Sequence, residues 1–176
     1  MIWAAHPCRT YKPYTGRTMS RRTYWIPEEP RSIAYHQLID FCSIRASQCT
    51  FVLHNPKQVA KSCTQFLDEL SEYTVRVVDQ KEWPGTKLMQ SVAPVFWFRP
   101  APEVVTILKS SVQGLYGWIF PNLPEDLALY WPDGSPLLGT ISHEQLGFLN
   151  LDDDEADVFR REAPHISLRS QREQSH

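Results

Sequence analysis

The sequence predicts an α/β (α+β) fold: a single mixed sheet of about five to six strands, covered by about three helices, with disordered or loosely docked tails. Three observations lead there. The 176 residues are 42% hydrophobic and 22% charged, which suits one buried core and argues against a disordered chain. Helix-period and strand-period segments alternate along the first two thirds of the chain. Short strand-like segments then follow one another, two of them joined by Pro132-Asp133-Gly134-Ser135.

Residues 1–31 read as a basic N-terminal tail. Pro7, Pro13, Pro27 and Pro30 break any periodicity, and the net charge of the segment is +4. Its end, Tyr24, Trp25 and Ile26, is apolar enough to dock on the domain. Met19, followed by Ser20, Arg21 and Arg22, reads as an alternative start of translation, which would remove residues 1–18.

Residues 32–162 read as the domain. Ser32 is expected to cap a helix over residues 33–46, in which Ala34, Leu38, Phe41 and Cys42 form a buried stripe and Arg45 lies at its edge. Residues 49–54 read as a strand. Asn55-Pro56 is a favourable helix start, and Val59, Cys63, Phe66, Leu67 and Leu70 carry the stripe to about Glu72. A β-branched strand is expected over 74–78, a turn at Trp83-Pro84-Gly85, and an aromatic strand over 92–98 whose Pro94 suggests an edge or a bulge. Pro102 opens a helix that Gly114 stops. Residues 115–120 read as a strand, 127–131 and 137–141 as a hairpin, and Phe148-Leu149 as a last short strand. Asp152 with Glu155 is a capping box for a short helix through Phe159. Residues 163–176 are too polar to bury a core and read as a C-terminal tail.

The bulk properties exclude several classes. The net charge is −2, and positive charge is concentrated at one end of the chain, so nucleic acid is not the expected partner. The apolar run over 92–98 is far too short to span a bilayer, so no membrane partner is expected. The first eight residues lack a basic region followed by an apolar one, so no signal peptide is expected. Cys8, Cys42, Cys49 and Cys63 have no zinc spacing, and reduced thiols in a cytoplasmic protein are the default reading. None of the seven glycines forms a dinucleotide or phosphate loop, so no cofactor is expected.

Few residues suggest chemistry. His143-Glu144 resembles half of a zinc-protease motif, but Gly147 stands where the second histidine is required, so no metal is expected. His143 and Glu144 remain an acid–base candidate at a strand end. Cys42 and Cys63 lie on helix stripes and read as small hydrophobes. Cys49, less constrained, is a candidate nucleophile if His54 or His143 lies beside it. Glu125 and Asp126, with Asp133 in the next turn, are paired carboxylates suited to a metal or to acid–base work, although such residues are common in turns. Trp83, Tyr116, Tyr130 and Trp131 are expected to be exposed anchors for a protein partner, because aromatic side chains dominate interface energetics. Asp152, Asp153 and Asp154 either start a helix or form an acidic surface for a basic protein.

The expected function is therefore a non-catalytic protein-binding module of the small inhibitor, immunity or adaptor type. It would use aromatic anchors and acidic loops against a protein partner, a basic one in the sharper form. The alternative is a small hydrolase or transferase built on His143, Glu144 and Cys49.

Overall fold

Apolar side chains at helical spacing form α1 (Ile33–Ser43), whose Tyr35, Leu38, Ile39, Phe41 and Cys42 are buried. The computed structural model describes residues 20–170. Residues 1–19, with Met19 and Cys8, lie outside them, as do residues 171–176 of the C-terminal tail. Ser32 precedes α1, but its side chain caps nothing, and its φ of 50° places it in the left-handed region.

The next strand, β2 (Gln48–Val52), is central and almost wholly buried. The second helix, α2 (Lys61–Glu69), begins later than the sequence suggests. Asn55 accepts the Lys57 amide into a local turn, and the Ala60 amide donates to the Pro121 carbonyl, so residues 54–60 follow the neighbouring loop instead of coiling. A 3-10 turn leads into β3 (Thr74–Gln80). A small hairpin of β4 (Glu82–Trp83) and β5 (Thr86–Lys87) replaces the expected turn, and β6 (Ala93–Phe98) follows.

Pro102 occupies the first turn of α3 (Pro102–Ser111), as its fixed φ favours. Residues 115–120 do not form a strand, although Leu115, Tyr116 and Trp118 are buried. The Leu115 amide donates to the Pro30 carbonyl, the Gly117 amide to Gly114, and the Tyr116 amide to Glu29, so the first three amides of the segment are spent outside any ladder. β7 (Glu125–Tyr130) and β8 (Pro136–Ile141) form the expected hairpin, with Gly134 supplying a φ of 83°. β9 (Leu146–Leu151) extends well beyond Phe148 and Leu149.

The capping box at α4 (Asp153–Glu162) is complete. The Glu155 amide donates to Asp152 at 2.8 Å, and the Asp152 amide donates to the Glu155 carboxylate at 3.3 Å. Asp152→Ala is expected to cost about 1 kcal/mol of stability, read as a lower midpoint in urea at unchanged slope.

Both tails enter the sheet. β1 (Arg22–Trp25), inside the segment that reads as an N-terminal tail, pairs with β9, with Tyr24 and Ile26 buried as docking residues. β10 (Arg169–Ser170) pairs with β1. Among the described residues the sheet therefore has eight strands, not five or six, in the order β10-β1-β9-β8-β7-β2-β6-β3, and its pairings are antiparallel. Four helices among the described residues accompany it, and their buried residues join one core on one face: Leu38, Phe66, Leu108 and Phe159 meet Phe51, Phe98 and Leu129 of the strands. Val52, Ala93, Val95, Trp97, Ala128 and Tyr130 form a smaller cluster on the other face, where Trp83 of the β4–β5 hairpin covers them. No helix among the described residues is long and apolar enough to cross a membrane.

Candidate functional site

Two features stand apart from ordinary core packing. The first lies where the ends of β2, β7 and β8 meet the hairpin. Asp126 is buried, at 1% exposure, and its φ of 54° is unusual for a residue in a strand. Its carboxylate joins three segments. Oδ2 accepts from the Trp83 indole at 2.8 Å and lies 3.2 Å from His54 Nε2, while Oδ1 accepts the Ser142 amide at 3.1 Å. Burial pushes the Asp126 carboxyl up, but the His54, Trp83 and Ser142 hydrogen bonds together outweigh it and hold the group below its ordinary range. The Asp126 hydrogen bond raises His54 above the usual histidine value, against the opposing effect of burial. Glu125 Oε2 lies 3.7 Å from His54 Nε2, and burial raises the Glu125 carboxyl. The His143 ring faces that of His54 at 6.2 Å between centroids.

The second feature is the outer edge of β3. This seven-residue strand ends the sheet, bonded on one side to β6. Val75, Val77 and Val78 are 48%, 49% and 39% exposed. Met89 and Val92, between the hairpin and β6, are exposed as well. Among the described residues, the other end of the sheet is β10. Natural edge strands are usually short, charged, bulged or covered; β3 carries Arg76, Asp79 and a register shift between Thr74 and Arg76, yet it is long and leaves three valines exposed.

The expected partner-binding residues fall elsewhere. Trp83, Tyr116, Tyr130 and Trp131 are all buried, so none is an exposed anchor. Both faces of the sheet are covered where they lie, and each ring has an internal role. Trp83 binds Asp126, Tyr130 packs on Trp97 at 4.9 Å, the Tyr116 hydroxyl reaches the Ile26 carbonyl, and the Trp131 indole donates to the Asn150 carbonyl. The acidic run is largely occupied. Asp152 caps α4, Asp153 pairs with Arg22 at 2.8 Å and accepts from the Tyr24 hydroxyl, and Asp154 faces solvent. Arg22, Tyr24, Asp153, Asp157 and Arg160 wall a cavity of about 310 Å3, but its charges are already paired with one another.

The expected catalytic residues are not brought together. His143 and Glu144 lie 3.7 Å apart in an exposed 3-10 turn after β8. Cys49 is buried in the helix-side core, and burial pushes its thiol up to about 12, so it is protonated and inert near neutral pH. Asp133 turns away from Asp126 to bind Arg21 and the Ser135 hydroxyl and amide. Among the described residues, no group of three His, Cys, Asp or Glu is arranged to hold a metal ion. The His54–Asp126 cluster can orient an imidazole and move a proton, but Ser142 and Cys49 are buried and offer no accessible nucleophile.

In the sequence His54 and Asp126 stand out separately and not as a pair, because they lie 72 positions apart. The one local signal is the pattern of β7, in which the carboxylates Glu125 and Asp126 stand directly before the continuous apolar run Leu127 to Tyr130. No protein-family model, curated protein or solved structure matches this chain.

Proposed function

We propose that this chain is a non-catalytic protein-binding module of the small inhibitor, immunity or adaptor type, and that it binds by adding a strand of its partner to β3. The observation that carries this reading is the long, valine-rich outer edge of that strand, which pairs with no other strand among the described residues. Strand addition takes affinity from main-chain hydrogen bonds and specificity from side chains that alternate between faces. Val77 lies on the helix side, opposite Phe96, and Val78 on the hairpin side, opposite Val95. The partner segment is thus extended and apolar on both faces. Arg76, stacked over Trp97 at 4.3 Å, asks for a carboxylate across the strand, and Asp79 asks for a basic residue.

The test is affinity capture with the full chain, followed by quantitation of one stoichiometric partner. Val77→Lys is expected to weaken that capture by about tenfold or more, because an edge lysine opposes strand pairing. Asp154→Asn is expected to leave it unchanged. In the complex, amide exchange of β3 should slow. Equal capture by Val77→Lys, or a bait that retains no stoichiometric partner, counts against the reading.

A further inference from the structure

The main chain of β3 fixes which of its residues an added strand can bond. The Leu53 amide donates to the Pro94 carbonyl at 3.0 Å, so Pro94 turns its main chain toward β2. By the alternation of an antiparallel ladder, Val95 and Trp97 turn theirs toward β3. The Arg99 amide, which donates to the Tyr73 carbonyl at 3.0 Å, fits the same alternation. Val78 and Arg76 are the ladder partners of Val95 and Trp97, so they spend their main-chain groups on β6. Val77 and Asp79 therefore present theirs outward. Side chains follow the same parity. Val77 and Asp79 stand on the helix side of the sheet, Arg76 and Val78 on the hairpin side, and each is exposed. Among the described residues neither Arg76 nor Asp79 has an ion pair; the Arg76 guanidinium lies over the Trp97 ring.

A second copy of this chain does not suit that edge. In an antiparallel pair, outward-facing residues oppose outward-facing ones, so two copies of β3 shift against each other only by whole pleats. The main chain of Arg76 faces inward and that of Asp79 outward, so in no such register does Arg76 of one copy oppose Asp79 of the other. Centring the pair on Val77 or on Val78 leaves each charge opposite an uncharged residue. The neighbouring registers set Arg76 against Arg76 or Asp79 against Asp79.

We propose that the occupant is an extended segment of another protein that adds antiparallel to β3 and carries, from its N-terminal end, a basic residue, a pair of apolar residues and an acidic one. This rests on the strand-addition reading and specifies the partner it takes. Antiparallel addition continues the pairing found throughout the sheet among the described residues, and such ladders are slightly the more stable kind. In that direction the basic residue meets Asp79 on the helix side, the apolar residues meet Val78 and Val77, and the acidic residue meets Arg76 on the hairpin side. The pairs at Asp79 and Val77 exchange main-chain hydrogen bonds. The opposite charge order would set like charges against each other at both ends of the contact.

Two synthetic peptides test it, one carrying Lys-Val-Val-Glu and the other Glu-Val-Val-Lys between identical flanks, each titrated by NMR into the full chain. Lys-Val-Val-Glu should bind about tenfold more tightly. On binding, hydrogen exchange of the Val77 and Asp79 amides should slow strongly, while those of Arg76 and Val78, already bonded to β6, should change little. The double variant Arg76→Glu with Asp79→Lys, altered at exposed positions, should reverse the preference. If it does not fold, Asp79→Lys alone should remove most of the preference. Equal binding of the two peptides, a preference for Glu-Val-Val-Lys, or a preference unmoved by these variants overturns the charge order and leaves strand addition standing. If neither peptide binds while Val77→Lys still weakens capture of the native partner, the proposed segment is wrong and the edge is right. If neither peptide binds and Val77→Lys captures as well as the parent, the strand-addition reading itself fails.

Discussion

Trp118→Ala is expected to lower stability by about 3–5 kcal/mol and the thermal midpoint by about 10 °C. Trp118 is fully buried in a segment that has no ladder of its own. Its ring lies 4.6 Å from Phe51 of β2 and 5.3 Å from Phe66 of α2, and those two rings meet at 5.4 Å. Truncation would open a cavity where sheet, helix and loop converge, and the neighbours are rings that cannot collapse into it. Trp118→Phe keeps most of the volume and should cost about 1–2 kcal/mol. Met89→Ala, at an exposed position, should change stability by less than about 0.5 kcal/mol. Urea unfolding of the three variants, followed by circular dichroism, measures the order. A cost near that of Met89→Ala would mean that the loop merely rests on the core.

The same segment marks the limit of what the sequence makes legible. Leu115, Tyr116 and Trp118 look like part of a strand because apolar residues report burial, not hydrogen-bond partners. Here the partners are Pro30, Gly114 and Glu29, chosen by tertiary position. Elements whose signal is local survive the comparison: the stripe of α1, Pro102 at the start of α3, the β7–β8 hairpin and the capping box of α4. Features set by the order of strands do not. Nothing in Thr74 to Gln80 says that β3 ends the sheet, since a central strand would carry the same valines. Nothing in Arg22 to Trp25 says that a Pro-bounded segment joins β9. The four aromatic residues expected on the surface were inferred from abundance, and abundance cannot distinguish a covered face from an open one. The acidic run was legible as a helix start because a capping box is a spacing rule. The His54–Asp126 pair was not, because it joins the end of one strand to the start of another 72 positions away.

Asp126→Asn is expected to cost about 3 kcal/mol near pH 6, where the cluster is most stable. Asparagine is nearly isosteric and tolerates a φ of 54° better than other replacements, so the change isolates the charge. It leaves one oxygen to accept what two oxygens now accept from Trp83, His54 and Ser142, and it turns an amide donor toward other donors. Two titrations define the window in the unaltered chain. Asp126 titrates below its ordinary value, so its contribution is present above about pH 4 and is lost as pH falls through the lowered value. His54 titrates above its ordinary value, so its contribution is complete below about pH 6.5 and is lost as pH rises through the raised value. The buried Glu125 carboxyl adds in the second direction, because its own raised value favours the protonated form. Stability measured in urea should therefore fall on the alkaline side, and Asp126→Asn should flatten that fall by removing the partner that raises His54. Asp126→Ala should be worse by about another 1 kcal/mol, since it adds backbone strain to the loss of every acceptor. An Asp126→Asn variant within about 1 kcal/mol of the parent, with the alkaline fall intact, would mean that the buried carboxylate neither secures the hairpin nor sets the titration of His54.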